Sequence, residues 1–141
     1  MTLPDPFAAF LSAYADAVDR QDVAAFVQLY GESLQVYDLW QNWSLQGLPA
    51  WRAMATQWFS GLGEERVKVT WTQAHSEVEG ALASGHAMLN YTAYSADGQP
   101  LRSLDNRITV AMRHTEDGWK VVHEHTSAPV EHGTGKALLR R

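Results

Sequence analysis

Asp38 ends a hydrophobic run, Leu34-Gln35-Val36-Tyr37, and is followed closely by Leu39, Trp40 and Trp43. A carboxylate among apolar and aromatic side chains sits in a low-dielectric setting, which suits a general acid or base near neutral pH. A turn aspartate bonded to nearby backbone N–H groups is the alternative reading. His123 and His125 alternate, so on a strand both point to one face, together with Trp119, Val121 and Ser127. His-x-His is a real metal-ligand spacing, but further ligands from Asp38, His86 or a glutamate stand at no supporting spacing. A polar strand network, or contact with a ligand, is therefore expected of the two histidines. Arg107 lies mid-strand in a stretch expected to be partly buried, where a guanidinium requires a carboxylate or a ligand anion. Asp105 and Glu124 are its candidate partners. Tyr14 falls on an apolar helical stripe and reads first as a core tyrosine whose hydroxyl needs an acceptor. Trp51 and Trp58 fall at helical spacing and read as core, with Trp58 also a candidate ligand contact. Trp40 and Trp43 flank Asn42 in a loop, where they could form the mouth of a pocket for a flat apolar ligand.

The elements that must position these residues follow from pattern. Asp5 is a plausible N-cap with Pro6 at the first helical position, and Phe7, Phe10, Leu11, Tyr14 and Val18 form a helical stripe. Asp22 caps a second, shorter helix with Val23, Phe26, Val27 and Tyr30 on its apolar face, stopped by Gly31. A short strand, Leu34 to Tyr37, leads through the aromatic loop to Gly47. Pro49 opens a third helix bearing Trp51, Met54, Trp58 and Leu62, ended by Gly61 and Gly63. Four long strands follow, over 67–78, 81–94, 101–114 and 119–127, separated by Glu79-Gly80, Asp97-Gly98 and Asp117-Gly118. Tight turns between consecutive strands imply an antiparallel meander, and helices first with strands after argue an α+β domain. Long antiparallel strands coil, and a coiled sheet with helices on its concave face encloses a pocket.

Composition removes several function classes. The 141 residues favour one domain, and 45% hydrophobic with 19% charged residues is an ordinary globular balance. Eleven Lys+Arg against sixteen Asp+Glu give a net charge of −5, so no basic excess exists to neutralise nucleic-acid phosphates. The absence of cysteine removes disulfide scaffolds, thiol nucleophiles, zinc fingers and iron–sulfur sites. Met1 to Phe7 has neither a positive start nor an apolar run, and no stretch reaches the roughly 18 apolar residues that span a bilayer. A cytoplasmic protein with no membrane or nucleic-acid partner is expected.

The order of elements and the ending Asp117-Gly118-Trp119-Lys120-Val121-Val122-His123-Glu124-His125-Thr126-Ser127 resemble the nuclear transport factor two-like superfamily, most closely its SnoaL-like and ketosteroid isomerase-like branch. The same ending is similar to the association domain of calcium/calmodulin-dependent protein kinase two, as is Asp97-Gly98 followed by Arg107-Ile108-Thr109. The resemblance covers residues 7–129 and implies a cone-shaped pocket and a homodimer through the outer sheet face. In ketosteroid isomerases the general base follows the first strand, where Asp38 stands, and a tyrosine of the first helix donates to the developing oxyanion, where Tyr14 stands. The second oxyanion donor, a protonated acid, has no counterpart in Ile108-Thr109-Val110-Ala111. Of the kinase domain's pocket arginines, Arg107 lies on the corresponding strand out of register, and Thr126 replaces another.

The expectations are therefore an α+β cone, with 1–130 a single SnoaL-like domain and 131–141 a polar, frayed tail. It should bind a small, largely apolar cyclic or carbonyl compound. In an enzymatic version of isomerase, cyclase or dehydratase type, Asp38 and Tyr14 are catalytic, and Trp40, Trp43, Trp58, Arg107, His123 and His125 contact substrate. The alternative is a non-catalytic ligand-sensing or assembly module. No cofactor and no metal are expected.

Overall fold

The computed structural model describes residues 5–141; residues 1–4, where the segment read above for a leader begins, lie outside the described residues. Helix α1 (Pro6–Arg20) starts as its sequence predicts: Asp5 Oδ1 accepts the N–H groups of Phe7 (2.9 Å) and Ala8 (3.2 Å). Its stripe of Phe7, Phe10, Leu11, Tyr14 and Val18 is buried. The helix stops at Gln21, in the left-handed region at φ 54°, whose side-chain amide donates to the carbonyls of Gly63 and Glu65. That one side chain ties the end of α1 to the start of the sheet. Helix α2 (Val23–Val27) is capped by Asp22, whose Oδ1 accepts the Ala25 N–H, and it buries Phe26 and Val27.

Strand β1 (Tyr30–Tyr37) begins earlier than the pattern predicts, because Gly31 lies within it rather than ending a helix. The glycine packs against β6 (Gly118–Ser127), where a Cβ would sit 3.5 Å from Val122 Cγ1. A two-residue strand, β2 (Leu45–Gln46), folds back on β1, so the aromatic loop is the connection of a hairpin. Helix α3 (Leu48–Leu62) follows and ends at Gly63, φ 60°.

Strands β3 (Arg66–Glu79), β4 (Leu82–Tyr94), β5 (Pro100–Thr115) and β6 form the expected antiparallel meander, turning at Gly80, Gly98 and Gly118, all at positive φ. The sheet order is β2-β1-β6-β5-β4-β3, and β1 runs parallel to β6. The result is an α+β domain of helices packed on one face of a curved, unclosed sheet. Among the register shifts in the sheet, two bear on the side chains described below. Ala111 pairs with His123 and Met112 with Val121, which leaves Val122 as an extra residue in β6. A second extra residue lies between Thr72 and His75 of β3, beside Gln73 at φ 55°.

The tail does not fray. Val130 pairs with Ala137, and the Glu131 carboxylate accepts the N–H groups of Gly133 and Thr134. Leu139 O then accepts the Asp105 N–H at 2.7 Å. Strand β6 pairs with β5 only as far as Ser127 and Arg107, so the backbone beyond needs other partners, and the tail supplies one.

Packing of α1 on the sheet depends on Gly85 of β4. A Cβ there would meet the Phe7 ring at 2.2 Å. Gly85→Ala is expected to destabilise the fold by about 1–3 kcal/mol through overpacking, read as a lower melting temperature. An unchanged melting temperature would show that α1 does not lie this close.

Candidate functional site

The inner sheet face and the helices meet over aromatic rings. Tyr14, Phe26, Tyr30, Trp51 and Phe59 are all buried. Their ring centroids lie 5.4–5.8 Å apart for Phe26–Tyr30, Tyr14–Phe26, Tyr30–Trp51, Phe26–Phe59 and Phe26–Trp51. These rings pack against one another between the helices and the inner sheet face.

At the base of this apolar packing lies a set of polar groups. Glu124 of β6 is only 2% exposed, and Tyr30 Oη donates to its Oε1 at 2.7 Å. Tyr14 and Tyr91 share a hydrogen bond between hydroxyls at 2.8 Å. Asn106 of β5 is buried beside Tyr91, and its Oδ1 has no partner among the described residues. Trp51 Nε1 points toward the Tyr30 oxygen without a hydrogen bond of good geometry. Burial pushes the Glu124 carboxyl up to about 7, with the nearby Asp38 charge adding to the rise and the Tyr30 hydrogen bond opposing it. Burial likewise holds the phenols of Tyr14, Tyr30 and Tyr91 above their ordinary range. All three hydroxyls therefore keep their protons at neutral pH and remain donors.

Asp38 follows β1 and joins the same side. Because Tyr37 pairs with His125, the next residues lie alongside each other, and Thr126 Oγ1 donates to Asp38 Oδ1 at 2.9 Å. The Leu39 N–H donates to the same oxygen at 2.8 Å. Asp38 is half-buried, so the low-dielectric setting expected of it belongs more fully to Glu124.

The predicted site residues separate into two groups. Asp38 and Tyr14 belong to the inner cluster, and Trp58 stands half-buried against Phe59 and Tyr91. Arg107, His123 and His125 are on the other face of the sheet. The extra residue Val122 reverses the alternation, so Val121 points inward while His123 and His125 point outward, with Glu124 and Thr126 facing in. His123 Nδ1 bonds to Gln35 O at 2.8 Å, and Tyr37 packs edge-on against both imidazoles. Arg107 is exposed, and its Nε donates to Ser127 Oγ rather than to Asp105 or Glu124. Trp40 is 50% and Trp43 96% exposed, standing out into solvent. Among the described residues no three His, Asp or Glu side chains gather in a metal-holding arrangement. Reading the sequence missed Glu124, Tyr91 and Asn106 as inner groups. Asn106 and Tyr91 carried a signal, each sharing the parity of an apolar set (Ile108 and Val110; Ala87 and Leu89), whereas Glu124 was concealed by the bulge.

The raised Glu124 carboxyl makes stability depend on pH with a definite sign. The folded group holds its proton up to about 7, while an unfolded glutamate releases it near about 4.3, so stability is full below the lower value and falls as pH rises through 7. Glu124→Gln keeps an acceptor for Tyr30 and removes the charge. The stability difference between pH 5 and pH 8 is expected to shrink by about 1–3 kcal/mol in this variant, measured by chemical denaturation. Identical pH profiles would place the carboxyl in solvent.

Comparison with known proteins agrees with this architecture. A structure of an NTF2-like protein of unknown function from Pseudomonas putida superposes with a TM-score of 0.80 at 24% identity, over 94% of this chain and 91% of that one. A structure from Streptomyces avermitilis, provisionally named a dehydratase of the NTF2-like family, gives 0.75 at 18% identity over 89% and 95%. One from Xanthomonas campestris, provisionally named a calcium/calmodulin dependent protein kinase II association domain, gives 0.75 at 14% identity over 93% and 94%. No curated protein matches the sequence. No helix among the described residues is long and apolar enough to cross a membrane. The SnoaL-like domain family matches residues 8–131, nearly the whole of the fold described above, and the chain belongs to that family and shares the fold of NTF2-like structures.

Proposed function

We propose that this domain works as a cytoplasmic homodimer that binds a small, largely apolar cyclic or carbonyl compound inside the cone and moves a proton on it. The observation that carries this reading is the burial of the Glu124 carboxyl with the Tyr14–Tyr91 hydroxyl pair beneath an aromatic interior, next to Asp38. A carboxyl and three phenols cost desolvation that an apolar core would not incur. In the enzymatic step the Asp38 carboxylate takes a proton α to the carbonyl, and the Tyr14–Tyr91 pair donates to the oxygen as negative charge develops there. Glu124, protonated over much of the neutral range, is a second donor that can return a proton. Arg107, His123 and His125 take no part, since they face away.

A non-catalytic ligand-sensing or assembly module is the second reading, favoured by the close packing of the aromatic interior and by the likeness to the Xanthomonas campestris structure. The two separate on one variant. Native mass spectrometry of the purified protein identifies a bound compound, and Asp38→Asn is then assayed on it. For a general base, turnover falls by about 10²–10⁴-fold with affinity nearly unchanged. A compound that is bound but never converted by the wild-type protein establishes the module. Sedimentation velocity checks the dimer: the expected species has twice the chain mass of 15.7 kDa, and a persistent monomer removes it.

A further inference from the structure

Four of the six histidines, His75, His86, His123 and His125, lie on the outer face of the sheet, the face expected to meet a second copy. Register sets three of them in one row. Tyr37 of β1 lies opposite His125 of β6, and His125 lies opposite Thr109 of β5. Thr109 in turn lies opposite His86 of β4, and His86 opposite His75 of β3. The row thus crosses five of the six strands. The His75 and His86 ring centroids are 5.4 Å apart. His123 stands two residues before His125 on the same face, and the Tyr37 ring lies 4.8 Å from one imidazole and 5.6 Å from the other. In the single chain His75, His86 and His125 are exposed and His123 is half-buried.

Neutral imidazole suits a contact between identical faces. It carries one donor and one acceptor, and across a twofold axis every contact is returned, so such rings satisfy one another. His123 shows which nitrogen is which. Its Nδ1 lies 2.8 Å from the Gln35 carbonyl oxygen, which only accepts, so Nδ1 holds the proton and Nε2 is left as an acceptor. Protonation turns each such acceptor into a donor and charges the ring. The rest of the face does not offset that charge. Strand β5 adds Arg107 and Arg113, and β6 adds Lys120, which donates to the Gln28 carbonyl. Asp105 is engaged by Asn90 and by the Arg141 N–H, beside Arg140. At the α1 end of β3, Lys68 pairs with Asp19 at 3.8 Å and Arg66 donates to the Asp19 carbonyl, near the Tyr94 phenol of β4. Among the described residues of the sheet, Glu77 and Glu79 at the far end of β3 are the acids of this face left to meet four imidazolium charges.

We propose, resting on the dimer inferred above, that the two copies hold together while these imidazoles are neutral and separate when they are protonated. Covering the row takes water from the rings and brings those of one copy near those of the other, and both effects disfavour the charged form. The separated chains therefore bind more protons than the dimer. Association accordingly weakens as pH falls through the ordinary histidine range, near about 6.5.

The test is sedimentation velocity of the full chain over a concentration series at about pH 8 and about pH 5.5, the latter below the histidine range and above that of carboxylates. Dimer dissociation constants are expected to rise at least about a hundredfold at the lower pH, since each imidazole displaced by one pH unit contributes up to about tenfold. Far-ultraviolet circular dichroism should be the same at both. The double variant His86→Gln/His125→Gln keeps a donor and an acceptor at each place and takes up no proton. It should stay dimeric at both pH values, with the pH effect cut at least about tenfold. His125→Gln alone carries the same comparison if the double variant associates poorly at the higher pH. A wild-type dimer equally tight at both pH values would overturn the switch and leave the dimer standing, whereas a monomer at both would remove the dimer itself. A pH effect as large in the variants as in the wild type would overturn the role of the row, as would loss of secondary structure at the lower pH.

Discussion

A β-strand has only two faces, and one extra residue reassigns every side chain that follows it. Val122 is that residue in β6. Strict alternation would put Val121, His123 and His125 on one side; the bulge sends Val121 into the core and both histidines out. Glu124 and Thr126 turn inward as a consequence. Because β1 pairs in parallel with this same strand, Thr126 arrives beside Asp38 and donates to it. The inner polar cluster and the outer histidine surface are thus two results of one register shift, accommodated where Gly31 leaves room against Val122.

Burial of a carboxyl is the most expensive feature of the interior. Glu124 receives one hydrogen bond, from Tyr30, while an ionised carboxylate has about four lone-pair sites to satisfy. The protonated form asks for less, which is why burial raises its affinity for a proton. The surrounding phenols respond to the same desolvation in the same sense, since burial favours their neutral, donating form as well. A proton-holding acid and proton-donating hydroxyls therefore share one environment, and that environment is maintained by the aromatic rings packed over them.

The fold itself does not decide the activity. The NTF2-like architecture is a scaffold that supports many unrelated sites, so function has to be argued from the side chains each face presents. Here the two faces differ in kind. The inner one is apolar with buried acid and phenol groups, and the outer one is polar, rich in imidazole and bounded by arginine. The carboxy-terminal hairpin adds to the outer face by engaging Asp105, the acid that could otherwise have paired with Arg107.

Local chemistry made a good part of this legible in advance. Asp5 and Pro6 mark the start of α1, the Phe7-to-Val18 stripe marks its buried side, and the acid-glycine turns divide the meander, because capping, periodicity and positive φ are properties of a few adjacent residues. The helical stripe places Tyr14 on the inner side, while Asp38 is assigned to the pocket by its apolar neighbours and by the family resemblance. The burial of Glu124, the outward turn of His123 and His125, and the exposure of Arg107 were decided only in the tertiary structure. Val122 looks like any other β-branched strand residue, and nothing in its type announces that it will be left unpaired. Whether it bulges depends on hydrogen bonds to β1 and β5, strands that the chain formed many residues earlier, and those non-local pairings set the parity that sequence alternation alone cannot.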